Sequence, residues 1–175
     1  LGTLNGTNGF TLNPTDIATA SPLAVSEAGD VNGDGLADLL LGTTEDKAGE
    51  TTLPGRGFVV YGSESAYPAS LSLSGLDGSN GFTIVGMNTE ELAGGAVASA
   101  GDVNGDGLAD LMVAAPFGNP GDPINFLAGE TYVVFGVGST FTDGAGNVDQ
   151  SEDLNPGDRV TYRVDAQIAN DATGS

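Results

Sequence analysis

One acidic stretch, Ala28-Gly-Asp-Val-Asn-Gly-Asp-Gly-Leu-Ala-Asp-Leu39, recurs unchanged 72 residues later as Ala100–Leu111. A second stretch, Leu4-Asn-Gly-Thr-Asn-Gly-Phe10, returns at the same offset as Leu76-Asp-Gly-Ser-Asn-Gly-Phe82. Two motifs that recur in the same order and at the same distance indicate a duplicated structural unit. The chain is therefore expected to contain two copies of one small unit.

The apolar residues of each unit come in short runs separated by Gly, Asn and Asp, which is typical of short strands and not of long helices. Strands are predicted at Ala24–Glu27, Ala37–Gly42, Phe58–Tyr61 and Phe82–Val85 in the first unit, and at Ala96–Ser99, Ala109–Ala115 and Tyr132–Phe135 in the second, with a long Gly/Pro loop before the third strand of each. Four antiparallel strands in a repeat of 72 residues fit one propeller blade. The sequence thus predicts an all-β protein with two four-stranded antiparallel propeller-type blades, at 13–85 and 86–140. A two-fold repeated β-sandwich is the alternative.

The composition excludes several classes of function. The chain of 175 residues has 24 acidic and 4 basic side chains, and its formal net charge is -20. This charge repels phosphate backbones and anionic lipid surfaces, so we expect no nucleic-acid binding and no membrane insertion. His and Cys are absent, which removes Ser-His and Cys-His catalytic pairs, the usual zinc ligands and disulfides. Chemistry based on oxygen ligands remains.

The repeated acidic stretch has the spacing of a cation-binding loop. Oxygen-bearing side chains stand at loop positions 1, 3, 5 and 9, and alternate residues of a tight loop point inward. The predicted ligands are Asp30, Asn32, Asp34, Asp38 and the Leu36 carbonyl in the first loop, and Asp102, Asn104, Asp106, Asp110 and the Leu108 carbonyl in the second. Position 12, where an EF-hand has a bidentate Glu, is Leu41 or Val113 within an apolar strand. Each loop is therefore predicted as a strand-loop-strand site.

Calcium is the cation that this ligand set favours. Three carboxylates crowded into one short loop repel one another unless a cation lies between them. Ca²⁺ accepts many flexible oxygen ligands, including a backbone carbonyl, whereas Mg²⁺ keeps several of its waters. We expect two calcium sites. A solvated acidic turn is the alternative for a single run of this kind, and the duplication argues against it.

With these motifs the chain resembles the FG-GAP repeats of integrin alpha subunits and of many bacterial surface proteins. The resemblance rests on the acidic stretch in both units, on Ala114-Ala-Pro116 where the family has Gly-Ala-Pro, and on Val133-Val-Phe-Gly136. It covers about residues 1–140. It implies blades of a β-propeller, with calcium bound by the side chains of the two acidic loops.

The two units differ in their strand count. A strand at Asn80–Ile84 completes the first unit, whereas Gly136-Val-Gly-Ser-Thr140 follows the last predicted strand of the second. A spare copy of the missing strand, Asn8–Leu12, lies near the amino terminus. Two hypotheses stay open. Residues 1–12 complete the second blade of another copy, which gives a head-to-tail filament or ring, or flanking blades complete the units.

Residues 141–175 do not follow the repeat. Apolar and polar side chains alternate from Val160 to Ile168, which predicts one half-buried strand. This segment resembles the opening strand of immunoglobulin-like repeats in bacterial surface proteins. The acidic segment before it, around Asp149, is either a solvated linker or a third cation site.

These observations predict a non-enzymatic, calcium-binding module of the cell surface or extracellular space, with a structural or adhesive role. Calcium is millimolar outside cells, which suits the weak affinity of such loops. Expected partners are other copies, neighbouring blades, or an extracellular protein or glycan, and Asn5-Gly-Thr7 fits the N-glycosylation pattern. The alternatives are a carbohydrate-binding propeller lectin, although Trp is absent, and a non-catalytic piece of a larger secreted enzyme.

Overall fold

The computed structural model describes residues 3–14, 24–48, 51–87, 91–118, 129–138, 141–142, 148–149 and 161–162. Its strands are β1 (Thr11–Asn13), β2 (Ala24–Gly29), β3 (Asp38–Ala48), β4 (Thr51–Val60), β5 (Ser70–Ser72), β6 (Gly81–Val85), β7 (Ala96–Gly101), β8 (Asp110–Ala115), β9 (Glu130–Val134), β10 (Phe141–Thr142), β11 (Val148–Asp149) and β12 (Thr161–Tyr162). Within these ranges the helical content is one short 3₁₀ turn at Leu73–Gly75, and no helix there is long and apolar enough to cross a membrane. The prediction of an all-β protein is confirmed.

The first sheet has the strand order β12-β6-β4-β3-β2. Its central pairs are antiparallel, as predicted for a four-stranded unit, and β12 joins β6 in parallel. The long Gly/Pro loop predicted after Gly42 is wrong for this unit, because β3 and β4 stay paired out to Ala48 and Thr51. The β-branched Thr residues on both sides of this hairpin favour extended backbone, and their propensity outweighs the turn signal of the single Pro54.

The second sheet has three antiparallel strands in the order β7-β8-β9. Over the residues that the structure describes, no fourth strand pairs with β9, which agrees with the predicted gap in the second unit. Both sheets have the same irregularity before the acidic loop, at Glu27/Gly29 and at Ser99/Gly101. The two glycines have φ of +79° and +68°, a backbone conformation that only Gly adopts at little cost, so the bulge directs each chain into its loop.

The two sheets pack face to face around one apolar core. The core comprises Ala28, Val31, Leu40, Val59, Tyr61, Phe82, Ile84, Leu111 and Val113, with Val97, Ala109, Val134 and Val137 packed against it. Two backbone hydrogen bonds also join the sheets: Ala109 N–H donates to the Asp30 carbonyl at 2.8 Å, and Val137 N–H donates to the Val31 carbonyl at 3.0 Å. The first acidic loop is therefore part of the contact between the sheets.

The other face of the first sheet is partly covered by elements of the same unit. Leu41, Phe58 and Val60 form a second cluster with Leu73 of the 3₁₀ turn, and Leu12, Leu71 and Leu76 pack against it. The spare strand predicted at Asn8–Leu12 is observed as β1, which begins at Thr11 and pairs in parallel with β5 of its own chain. The ring of Phe10 stacks on Tyr67, with centroids 4.1 Å apart. This segment therefore has an intrachain position.

The C-terminal segment is described at three short strands. β10 and β11 form an antiparallel pair that includes Asp149, and β12 lies beside β6. Most of the strand predicted from Val160 to Ile168 lies outside the described residues, as does most of the acidic segment near Asp149. The boundaries proposed for the four segments of the chain stay predictions.

Candidate metal centre

The first acidic loop joins β2 to β3 and is wound around the carboxylate of Asp30. Its Oδ1 accepts hydrogen bonds from the N–H groups of Gly33 at 2.8 Å and Asp34 at 3.1 Å, and its Oδ2 accepts one from Gly35 at 2.9 Å. An Asp side chain that accepts N–H groups from the residues just after it stabilises a tight turn. The loop sequence thus provides its own scaffold.

Asn32 and Asp34 are bonded to each other inside this turn. The Asn32 amide donates to Asp34 Oδ2 at 2.9 Å, and the Asp34 N–H donates to Asn32 Oδ1 at 3.1 Å. The Leu36 N–H donates to Asp34 Oδ1 at 2.8 Å. The side chains at positions 3 and 5 are therefore neighbours, as the spacing predicts.

Asp38, at position 9, is buried and connects the loop to the end of β4. Its Oδ2 accepts a hydrogen bond from Val31 N–H at 2.8 Å, and its Oδ1 accepts one from Gly62 N–H at 2.7 Å. A Cβ atom at Gly62 would lie 2.6 Å from the Cβ of Leu36, so the close approach requires Gly. Asp38 therefore has a structural role in addition to its predicted role as a ligand.

The first loop concentrates negative charge. Burial raises the pKa of Asp38 above its usual range, the backbone N–H groups of Gly62 and Val31 lower it in part, and the carboxylates of Asp34 and Asp30 raise it further. The pKa of Tyr67 is also raised, first by burial and then by the carboxylates of Asp38 and Asp34. A cation in the loop would relieve this repulsion.

The second loop, between β7 and β8, repeats every one of these contacts. At position 1, the carboxylate of Asp102 accepts hydrogen bonds from the N–H groups of Gly105 at 2.7 Å, Asp106 at 3.1 Å and Gly107 at 3.0 Å. The Asn104 amide donates to Asp106 Oδ2 at 2.7 Å, and the Leu108 N–H donates to Asp106 Oδ1 at 2.9 Å. Asp110 is buried and accepts Val103 N–H and Gly136 N–H, each at 2.8 Å. The two loops are local structural copies.

The donor set of each loop fits a hard cation, although the side chains point mainly at backbone N–H groups. Carboxylate and amide oxygens have two lone pairs each, so an oxygen that accepts one N–H group can still coordinate a metal. Among the described residues, no three acidic side chains converge on one point. The structure therefore brings the eight predicted side chains into two loops but does not gather them around a centre, and cation binding would require the exposed side chains of Asp34 and Asp106 to turn inward.

Sequence reasoning missed two contributors to the loops and one polar group. Gly62 and Gly136, which hold the buried carboxylates, are signalled by the Gly that ends the repeated Val-Val-aromatic-Gly motif. The Tyr132 hydroxyl donates to Glu130 at 2.5 Å and lies 3.5 Å from the buried carboxylate of Glu91. Burial and the hydrogen bond with Glu130 raise the pKa of Tyr132. No motif indicates this group, because Glu91 lies 41 residues from Tyr132 in the sequence.

Comparison with known families supports the second unit directly. Residues 93–134 match the FG-GAP repeat family, which confirms the predicted resemblance. The matched segment includes β7, β8, β9 and the whole second acidic loop. A comparison with the curated proteins gave no match.

Proposed function

We propose that the chain is a non-enzymatic, calcium-stabilised module of the cell surface or extracellular space, in which the two sheets act as neighbouring propeller blades. FG-GAP repeats are typical of extracellular and surface proteins, and they are typically non-catalytic. The proposed role is structural or adhesive, with two calcium ions bound in the acidic loops.

One observation carries this proposal. The two loops have the same sequence and the same internal hydrogen bonds, with three carboxylates each, although their surroundings differ. The buried carboxylates of Asp38 and Asp110 each accept two backbone N–H groups, and each belongs to a loop with two further carboxylates. A cation bound in each loop would offset the repulsion among these three like charges.

Thermal unfolding in calcium and in chelator tests the proposal. Loops of this type in extracellular modules bind calcium with dissociation constants of about 10⁻⁴ M. At about 10 mM calcium each site then stabilises the fold by about 2.7 kcal/mol. For a domain of this size we expect the melting temperature to rise by about 5–10 °C for each site.

The double variant Asp34→Ala/Asp106→Ala is the matched comparison. It removes one exposed carboxylate from each loop and keeps the buried Asp38 and Asp110, so the variant should fold but lose the calcium response. Magnesium at the same concentration controls for ionic strength. Equal melting temperatures of the wild-type chain in calcium and in chelator would contradict the assignment.

A further inference from the structure

Two apolar surfaces are exposed on opposite sides of the paired sheets. The tail surface lies on the face of the second sheet that is turned away from the first. It consists of Val133 of β9, of Phe135 just after β9, and of Val103 in the second acidic loop. Phe135 exposes 54% of its surface. The head surface lies on the face of the first sheet turned away from the second, and consists of Val25 and Leu39, with Val25 exposed by 72%.

The tail surface matches the face of the first sheet that the second sheet covers. The repeat gives each tail residue a counterpart in the first unit: Val31 for Val103, Val59 for Val133 and Tyr61 for Phe135. All three counterparts are buried in the core between the sheets. The same positions are therefore covered in one unit and open in the other.

The head surface matches the face with which the second sheet covers the first. Its counterparts in the second unit are Val97 for Val25 and Leu111 for Leu39. Leu111 is fully buried in the core between the sheets, and Val97 packs against the same core. One chain thus leaves Val25 and Leu39 of the head face exposed, together with the tail residues of the other half of this contact. The remaining apolar residues of the head face, Leu41, Phe58 and Val60, are covered within the chain by Leu73 of the 3₁₀ turn and by Leu12 of β1.

We propose that the tail surface of one copy packs on the head surface of a second copy and repeats the contact between the two sheets. The proposal follows from the repeat and the exposed faces, and it does not depend on calcium binding. Chains joined in this way form a heterologous, head-to-tail interface, which gives a ring if the rotation closes and a filament if it does not.

Backbone hydrogen bonds between the two sheets also have equivalents in the proposed contact between copies. Within the chain, Ala109 N–H and Val137 N–H donate to the carbonyls of the first loop at Asp30 and Val31. By the repeat, the matching donors of the second copy are the N–H groups of Ala37 and Ser63, and the matching acceptors are the carbonyls of Asp102 and Val103. The interface between copies is therefore expected to have two backbone hydrogen bonds beside its apolar contact.

In this arrangement β1 supplies a fourth strand beside β9, an edge at which the described residues place no partner. It is the sequence copy of β6, and it pairs with β5 through one edge, much as β6 pairs with β12. The other edge of β6 pairs with β4, so that Ile84 opposes Gly57 and Phe82 opposes Val59. The same register applied to β9 of another copy places Leu12 opposite Thr131 and Phe10 opposite Val133. β1 can fill this place without leaving β5.

Light scattering on two charge variants tests the direction of assembly. Val25→Asp damages the head surface and Phe135→Asp damages the tail surface, and both sites are exposed, so each variant should fold. Because the chain itself is strongly acidic, measurements belong at about 0.15 M salt, where the Debye length is about 8 Å. We expect the wild-type chain to assemble and each variant alone to stay at the monomer mass of 17.3 kDa. An equimolar mixture should stop at the dimer, joined through the intact tail of one variant and the intact head of the other.

Two results would overturn the proposal. One is a wild-type chain that stays monomeric at every concentration. The other is assembly that survives Val25→Asp and is lost with Phe135→Asp, since this is the pattern of a symmetric tail-to-tail dimer. Phe117→Asp, at an exposed apolar residue that belongs to neither surface, controls for the added charge and should assemble like the wild-type chain.

Disulfide cross-linking tests the register with both surfaces unaltered. The chain has no Cys, so every disulfide that forms involves the introduced residues alone. Directly opposed residues of antiparallel strands lie within disulfide reach. Oxidation of a mixture of Leu12→Cys and Thr131→Cys chains should give the mixed dimer in high yield. Ala96→Cys replaces Thr131→Cys in the control, because Ala96 occupies the same cross-strand row at the opposite edge of the second sheet. Equal yields of mixed dimer from the two mixtures would refute the proposed strand pairing.

Discussion

The two acidic loops have the same sequence and the same internal hydrogen bonds, yet one is covered and the other is open. Val31 of the first loop is fully buried, whereas Val103 at the same position of the second loop exposes 57% of its surface. A Cβ atom at Gly33 would lie 3.0 Å from Leu108, and one at Gly105 would meet nothing within 4 Å. The sequence of the loop therefore determines its hydrogen bonds, while the neighbouring sheet determines its burial.

The largest difference in stability loss between equivalent substitutions in the two units is expected at the glycine that precedes each acidic loop. Gly29→Ala and Gly101→Ala both place a Cβ atom on backbone with positive φ, which costs about 1 kcal/mol. At Gly29 the new Cβ would also lie 2.6 Å from the Cβ of Ala109, with no flexible side chain to move aside. We expect a total loss of about 3 kcal/mol for Gly29→Ala and about 1 kcal/mol for Gly101→Ala, measured by urea unfolding. Equal losses at the two sites would show that the sheets do not pack as described.

The second largest difference in stability loss is expected at the first apolar residue of each acidic loop. Val31→Ala removes two buried methyl groups from the core between the sheets and should cost about 2 kcal/mol. Val103→Ala changes an exposed side chain and should cost less than about 0.5 kcal/mol. The comparison is made by denaturant unfolding of the isolated chain at low concentration. A loss at Val103 that grows with protein concentration would instead report the head-to-tail contact.

The duplication explains how much of this structure the sequence predicts. Each unit encodes its own strands and its own loop, so the positions of β2, β7 and β9 follow from local patterns. The buried carboxylates could be identified as special because they recur within the repeated stretch. Local information does not extend to the pairing of β3 with β4 beyond Gly42, where strand propensity outweighs a turn signal.

Contacts between units are the part that the sequence does not predict. Identical residues such as Val31 and Val103 differ in burial only because the sheets stack in one order, which no local pattern encodes. The same holds for Glu91 and Tyr132, which meet across 41 positions of sequence. The place of β1 beside β5 also depends on tertiary packing, since its sequence matches β6, a strand with a different neighbour.

The third contrast concerns the amide at loop position 3. Asn32→Asp and Asn104→Asp each replace the amide hydrogen bond to Asp34 or Asp106 by repulsion between carboxylates. In chelator we expect each change to cost about 1 kcal/mol, with the larger loss at the half-buried Asn32. In calcium the added charge should tighten binding, as titration calorimetry would measure. Weaker calcium binding in both variants would argue against the ligand assignment.

The smallest expected difference between the two units concerns how stability depends on pH. It arises at equivalent positions of β4 and β9, where the first sheet has Phe58 and the second has Tyr132. The pKa of Tyr132 is raised by burial and by its hydrogen bond with Glu130, so the folded state favours the neutral hydroxyl. In the unfolded chain this group ionises near its usual pKa of about 10. Its contribution to stability is therefore fully present below about pH 10 and is lost as the pH rises above that value.

Tyr132→Phe makes the second sheet match the first and removes this dependence. At neutral pH we expect a loss of less than about 1 kcal/mol, since the change breaks one hydrogen bond but leaves the ring in place. Between about pH 10 and pH 11 the wild-type chain should lose stability faster than the variant, as denaturant midpoints at each pH would measure. The natural contrast is Phe58, which packs in an apolar cluster. If the denaturant midpoints of the wild-type chain and of Tyr132→Phe fell equally with pH above pH 10, Tyr132 would have its usual pKa and its contact with Glu130 would be open to water.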